Sequence, residues 1–495
     1  VKDKKILSRN LDLNLSLVGG FLNIIRFGTS GWRGIIAEDF TSENVRIVTQ
    51  AIADYLKAHK EAQKGLIVGY DARFMSARFA SEVARVLAGN NIKSFLTKSH
   101  APTPVIAFEI IRRKTGGAIN VTASHNPPEY NGLKFSSSSG EPALPIITKE
   151  IEKRANEMIM EVAYSEVSIE EARRRNLLEE IEPFQYYADG LHQIIDIDAI
   201  KNAKLEIAVD LMYGAARGYI DRILEDAGCS ISVLNDSTNP YFGGRAPDPL
   251  EENLAMLIKM VKENKCDLGF ALDGDADRFG IVDCDGTFIE PNYILAMLFD
   301  YMLRVKGMKG GVARSIATSH LVDAIARQYN MPVYETPVGF KYIGELITTG
   351  KILIGGEESA GLSIKGHVPE KDGMLTCMLV AEMVAHEGKS LKELLSDLYK
   401  RFGKFVTKRE DIRIDNISRG GLAKLLSKPP KMIAGLSVEE TRDVGGVKFL
   451  LEGGAWLLMR ESGTEPVVRL YGEARDEDEL ELLIKAGKEL AYGAK

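Results

Sequence analysis

The densest chemistry in the sequence is Leu272-Asp273-Gly274-Asp275-Ala276-Asp277-Arg278, with carboxylates at i, i+2 and i+4. Apolar runs precede it (Leu268–Leu272) and follow it (Phe279–Val282), which predicts a loop between two strands. On an extended loop the three side chains can converge on one hard cation, and an all-oxygen donor set suits Mg²⁺. An EF-hand calcium loop is excluded, because its sixth position needs Gly and is Arg278, and its twelfth needs Glu and is Cys284. The plainer alternative is an acidic turn facing solvent, although three packed carboxylates repel each other without a cation.

Four further clusters could carry chemistry. In Thr122-Ala123-Ser124-His125-Asn126-Pro127-Pro128-Glu129-Tyr130-Asn131-Gly132-Leu133-Lys134, a hydroxyl stands beside an imidazole, and an ammonium follows. Ser124 could be a nucleophile or a phosphate carrier, or only a local cap in an Asn-Pro turn. No Gly-x-Ser-x-Gly elbow is present, which weakens a hydrolase reading. Gly355-Gly356-Glu357-Glu358-Ser359-Ala360-Gly361 follows the apolar run Ile352–Ile354 and offers Glu and Ser to paired hydroxyls, or is a Gly-rich turn. Arg460-Glu461-Ser462-Gly463-Thr464-Glu465-Pro466, with Arg469 beyond, can form an anion nest. It is not a P-loop, since no Gly-x4-Gly-Lys-Ser/Thr occurs in the chain. Phe27-Gly28-Thr29-Ser30-Gly31-Trp32-Arg33-Gly34 is a Gly-rich turn that delivers Arg33.

Three segments that share one grammar must position these loops: Gly65–Leu96, Lys204–Leu234 and Gly310–Glu335. Each shows an apolar run, a polar loop, an amphipathic stretch of about three or four turns, a Gly or Asn stop (Gly89, Gly228, Asn330) and a second apolar run. That predicts three βαβ units and hence three similar α/β domains. The last part differs. Val447–Leu451 and Ala455–Arg460 read as strands joined through Gly453-Gly454, followed by a strand over Val467–Tyr471 and a helix over Asp476–Ala491, a separate α+β domain. The expected boundaries are an arm over 1–24, α/β domains over 25–182, 183–289 and 290–401, and the α+β domain over 402–495.

Composition narrows the class. The 495 residues carry 63 Lys+Arg against 70 Asp+Glu, a net charge of −7, so a general nucleic-acid binder is not expected and cations for an anionic substrate must be local. With 45% hydrophobic and 27% charged residues the chain is globular, and no apolar run is long enough to span a membrane. Cys229, Cys266, Cys284 and Cys377 are widely spaced and form no Cys-x-x-Cys pair, as in a reducing compartment. No signal peptide is recognised at the basic N-terminus, so a cytoplasmic location is expected.

Together and in this order, the five clusters resemble the α-D-phosphohexomutase superfamily of phosphoglucomutases, phosphomannomutases and phosphoglucosamine mutases. The resemblance runs from about Ile25 to the end of the chain. It implies four domains around a central cleft, each giving one loop. It implies that Ser124 carries a phosphoryl group, and that Asp273, Asp275 and Asp277 hold Mg²⁺ with a phosphate oxygen on Ser124. Lys134 is the first candidate base, with His125 and Arg33 nearby. Arg460, Ser462, Gly463, Thr464 and Arg469 would hold the non-reacting phosphate, and Glu357 and Ser359 the sugar hydroxyls. Lys371, in a stretch that alone would be a solvated turn, would add a cation; Arg278 would either stiffen the metal loop or touch phosphate.

The implied reaction interconverts a hexose 1-phosphate and its 6-phosphate through a hexose 1,6-bisphosphate, which is also an activator. Gly339 lies in Val338-Gly339-Phe340, where some glucose-specific members have Thr-Gly-Trp. Ser359-Ala360-Gly361 lacks the His found in many dual-specificity mannose/glucose members, so glucose is the first expectation. Mannose or dual use, glucosamine and pentose phosphates follow. A metal-dependent sugar phosphatase and a sugar-phosphate-binding protein without turnover are the competing classes.

Overall fold

A computed structural model describes residues 24–159, 161, 163–413, 421–461 and 467–493. The expected arm therefore lies outside the described residues, apart from Ile24. Three mixed sheets and one antiparallel sheet follow one another along the chain.

The first sheet has seven strands, in the order Phe27–Gly28, Gly31–Ile35, Tyr130–Ser136, Ala118–Val121, Leu66–Tyr70, Ser94–Thr97, Leu178–Ile181. The last four run parallel, whereas Tyr130–Ser136 returns antiparallel to Ala118–Val121. The second sheet repeats the device: Glu206–Asp210 pairs parallel with Ser230–Leu234 and Leu268–Leu272, and Phe279–Asp283 folds back on Leu268–Leu272. In the third, Gly311–Ser315 pairs parallel with Val333–Thr336 and Ile352–Glu357, and Gly361–Ile364 folds back on the latter. The fourth sheet is antiparallel throughout, with six strands, and its Trp456–Glu461 and Val467–Ala474 pair as neighbours. Parallel strands buried on both faces need apolar residues at every position. Leu66–Val68, Ala118–Val121 and Leu268–Leu272 are buried throughout.

Two details depart from the sequence reading. The helix of about three or four turns exists only in the first unit, over Ser76–Gly89 with 14 residues. Its counterparts, Ile220–Asp226 and Leu321–Gln328, have seven and eight residues, because the chain first makes turns before each helix starts. Gly228 and Asn330 do take positive φ after their helices, but Gly89 does not; Asn91 does, at φ 59°. Gly89 is instead a close approach, where a Cβ would lie 2.3 Å from the Ser165 carbonyl oxygen.

One apolar cluster runs through the first three units, joining Ile67 and Val105 to Ile207 and Phe270 and to Leu298 and Leu379. The C-terminal sheet has its own core around Phe449, Leu457, Leu470 and Leu483. Among the described residues no helix is long and apolar enough to cross a membrane. Cys229, Cys266 and Cys377 are buried and Cys284 is exposed, all as free thiols.

Candidate active site

Ser124 lies in the turn between Ala118–Val121 and Tyr130–Ser136, in the left-handed region at φ 53° and 1% exposed. Its amide donates to Thr122 Oγ1 at 2.9 Å, and the Thr122 hydroxyl donates to Asp71 Oδ2 at 2.6 Å. The Arg73 guanidinium donates to the carbonyl oxygens of Ser124, Asn126 (2.5 Å), Pro127 (2.8 Å) and Tyr130 (3.1 Å). Its Nε lies 3.2 Å from Asp71 Oδ2, and the Phe242 ring covers it at 4.8 Å. A fixed planar fork of donors can hold such a strained turn.

The metal loop meets this turn backbone to backbone. A Cβ on Gly274 would lie 2.5 Å from the Ser124 carbonyl oxygen, so only glycine fits there. The Ser124 hydroxyl donates to Asp273 Oδ2 at 2.7 Å, and His125 Nδ1 lies 3.4 Å from Ser124 Oγ. Asp273, Asp275 and Asp277 are fully buried, with a carboxylate oxygen of each within 4.8 Å of the others. The acidic turn facing solvent is thereby excluded. Burial and the charges of Asp277 and Asp275 push Asp273 well above the usual carboxylate range. Asp275 Oδ1 and Asp277 Oδ1 are buried without a hydrogen-bond partner. Two bare oxygens and one carboxyl under like-charge repulsion fit a hard divalent cation.

Cations surround this acidic core. Lys134 Nζ lies 2.6 Å from Asp275 Oδ2 and 2.8 Å from Asp277 Oδ2, and Lys371 Nζ lies 2.9 Å from Asp277 Oδ2. Burial alone would raise Asp277, but Lys134, Lys371 and Arg278 outweigh it and hold Asp277 below the usual range. Burial and Arg33 oppose the charge of Lys134, yet Asp275 and Asp277 outweigh them and hold it above the usual lysine range. His125 is the opposite case: burial, Arg278 and Arg33 pull it well below the usual histidine range, leaving a neutral imidazole. Arg33 donates to Asn126 Oδ1, and burial with the nearby Arg278 lowers it to about 10. The charges of Arg33 and Arg278 thus oppose each other, and both weigh on His125 beside Ser124. Arg278 also donates its backbone amide to Asp273 Oδ1 at 3.0 Å, and its guanidinium sits 3.9 Å from Asp248 Oδ1.

The third unit closes the far side. Glu357 is buried and its Oε1 accepts from the Gly339 amide at 2.8 Å. Burial and the neighbouring Glu358 push Glu357 up. Gly339 has φ 127°, and a Cβ there would lie 3.1 Å from Thr29 Cγ2 of the first unit. Ser359 is half-buried in the turn that follows Ile352–Glu357. Lys371 crosses Gly361, where a Cβ would meet its Cδ at 2.4 Å. Alone, the Lys371 stretch reads as solvated; it is buried. In the C-terminal sheet Arg460 and Arg469 are direct cross-strand partners, and Arg469 Nε is 3.8 Å from Asp411 Oδ2. Ser462, Gly463 and Thr464 lie outside the described residues.

Sequence reasoning missed the supports of these groups: Asp71 and Arg73 under Ser124, Thr103 and Asn120 beside Asp275, and Asp248 beside Arg278. Glu370, pushed up to about 7 chiefly by burial, was also missed. The only local signal was Asp71-Ala72-Arg73 directly after the apolar strand Leu66–Tyr70.

Comparison with known proteins accords with this geometry. Four family models match, all described as phosphoglucomutase/phosphomannomutase: alpha/beta/alpha domain I at residues 25–160, domain II at 185–286, domain III at 290–402 and the C-terminal domain at 422–486. A phosphoglucomutase/phosphomannomutase of Thermococcus kodakarensis is 31% identical, over 94% of this chain and 99% of that one. A phosphoglucosamine/phosphogalactosamine mutase of Sulfurisphaera tokodaii is 27% identical, over 94% and 99%. Among solved structures, parafusin, a phosphoglucomutase from Paramecium, superposes in its open form with a TM-score of 0.81 at 25% identity, over 94% of each chain.

Proposed function

The chain belongs to the phosphoglucomutase/phosphomannomutase family of isomerases, and we propose that it interconverts hexose 1-phosphate and hexose 6-phosphate through a phosphoryl group on Ser124. The observation that carries this is the Ser124 hydroxyl donating to Asp273 within the buried group of three aspartates, with the opposed charges of Arg33 and Arg278 suited to an anion.

In the first half-reaction a free hydroxyl oxygen of the hexose phosphate bonds to the phosphorus on Ser124 as the bond from phosphorus to Ser124 Oγ breaks. The product is a hexose 1,6-bisphosphate. The proton lost by the sugar hydroxyl is regained, on balance, by Ser124 Oγ. Lys134, close to the aspartates, and His125, neutral and 3.4 Å from Oγ, are the candidates to carry that proton. After the bisphosphate turns around, the same steps in reverse return its other phosphoryl group to Ser124. Phosphoryl transfer asks a protein mainly for position and charge neutralisation. Arg33, Arg278 and Lys371 supply the charge near Ser124.

Asp273, Asp275 and Asp277 would hold Mg²⁺, which supplies neutralisation of charge on the transferring phosphoryl group. Glu357 and Ser359, with Gly339 fixing Glu357, would read sugar hydroxyls. Arg460 and Arg469, with Ser462, Gly463 and Thr464, would hold the other phosphate. Fixing one phosphate and reading hydroxyls with Glu357 and Ser359 would let the bisphosphate bind in both orientations.

Glucose is the preferred hexose in this reading, on Val338-Gly339-Phe340 and on Ala360 after Ser359. The relatives named for mannose, glucosamine and galactosamine phosphates make those sugars the comparison set. The test is phosphorus NMR with Mg²⁺, a trace of glucose 1,6-bisphosphate and each hexose 1-phosphate in turn. Glucose 6-phosphate should form faster than mannose 6-phosphate; equal rates would discard the glucose preference. Inorganic phosphate in place of isomer would make the protein a phosphatase.

A further inference from the structure

The proton-bearing groups around Asp275 show a device that neither the sequence motifs nor the family models assign. We propose that Thr103, oriented by Asn120, sets the Asp275 carboxylate for its cation and so ties the metal hairpin to the hairpin that bears Ser124. The proposal rests on reading Asp273, Asp275 and Asp277 as a Mg²⁺ site.

Thr103 opens the helix Thr103–Arg113 of the first unit and is 4% exposed. Its amide donates to the Asp275 carbonyl oxygen at 2.9 Å, and its hydroxyl donates to Asp275 Oδ2. One residue thus fixes both the main chain and the side chain of Asp275. A hydroxyl has a single proton to give. Asn120 Nδ2 donates to Thr103 Oγ1 at 2.7 Å, which leaves that proton for Asp275. Asp275 Oδ2 accepts a second bond from Lys134 at 2.6 Å, whereas Oδ1 has no partner. The carboxylate therefore has one committed and one open oxygen, which is how supporting hydrogen bonds orient a metal ligand. Asn120 and Lys134 are direct partners across the strands that flank Ser124. Directly opposed residues project from the same sheet face. Both supports of Asp275 thus originate in the Ser124 hairpin, one directly and one through Thr103.

The test is calorimetric titration of Mg²⁺ into the dephosphorylated full-length protein, with Thr103→Val, which keeps shape and loses the hydroxyl, and Thr103→Ser, which keeps the hydroxyl. Thr103→Val should bind Mg²⁺ about tenfold more weakly or worse, and Thr103→Ser within about twofold of wild type. In turnover, the Mg²⁺ half-saturation of Thr103→Val should rise while KM for sugar phosphate at saturating Mg²⁺ stays put. A merely structural Thr103 would lower the thermal midpoint in EDTA and leave Mg²⁺ affinity unchanged; that result overturns the proposal. Thr103→Ser as weak as Thr103→Val overturns it as well. If Thr103→Val does not fold, Asn120→Ala serves instead, with a loss of about threefold or more expected and unchanged affinity contradicting. Wild-type protein that binds no Mg²⁺ would remove the metal reading itself, and this proposal with it.

Discussion

At Arg73 one buried guanidinium answers four carbonyl oxygens between Ser124 and Tyr130, and Asp71 answers the guanidinium. Replacing it with Leu leaves the Asp71 carboxylate buried without its charge partner. Removing one member of a buried pair costs about 3–5 kcal/mol, so Arg73→Leu should unfold at clearly lower urea. Arg73→Lys should be milder in stability yet still lose most turnover, because a point charge cannot replace the fork; wild-type kcat in Arg73→Lys would refute the positioning role. The residue scale also shows why some groups were legible in the sequence and others were not. Three aspartates at alternate positions and Ser124 beside His125 announce themselves locally. Arg73 acts on residues about fifty positions away, and nothing in its neighbourhood shows that reach. The pairing of Lys134 with Asp275 and Asp277 was hidden for the same reason: both aspartates sit in a loop of the second unit.

In each of the first three units the functional loop is the turn of an antiparallel hairpin added to parallel strands. The strand-then-loop order was legible from apolar runs ending in polar clusters. Among these three the return strand was foreseen only for the metal loop, since Phe279–Val282 is continuous while Tyr130–Ser136 mixes Asn, Gly and Lys with its apolar residues. Helix lengths in the second and third units were overestimated because turns there contain apolar residues that mimic helical spacing. Just before the helix Phe340–Thr348 of the third unit, Gly339 combines φ 127° with a close approach to Thr29. Gly339→Ala should carry about 1–3 kcal/mol of backbone strain and shift the amide that fixes Glu357. The expected result is a KM for sugar phosphate raised severalfold with Mg²⁺ affinity unchanged; an unaltered KM would place sugar recognition elsewhere.

Across the whole molecule, the C-terminal domain is anchored on the third unit. Trp456, Leu458 and Tyr471 pack on Ile316 and Ala317, and buried Glu473 accepts from the Ser319 hydroxyl, the His320 amide and Trp456 Nε1. Lys448 is buried in the same seam, donating to the Ile316 carbonyl oxygen at 2.7 Å. Burial and Arg314 lower it from 10.5 to about 8 against the pull of Glu335. A lysine depressed on folding binds its proton more weakly in the native state. Its penalty, of order 3 kcal/mol, is complete below pH 8 and is relieved as pH rises towards 10.5. The stability of wild type relative to Lys448→Met should therefore improve between pH 8 and pH 10.5, as followed by thermal midpoints. A difference that does not vary with pH would contradict the assignment. No sequence pattern marks this seam, because its residues alternate along strands that look like ordinary core and surface.

The central claim is that Ser124 carries the phosphoryl group from one sugar position to the other. The most direct measurement charges the protein with radiolabelled glucose 1,6-bisphosphate, maps the labelled peptide, and then adds unlabelled glucose 1-phosphate with Mg²⁺. The label should reside on Ser124, be absent in Ser124→Ala, and move from the protein into hexose phosphate. Label on another residue, or label released as inorganic phosphate, would contradict the account.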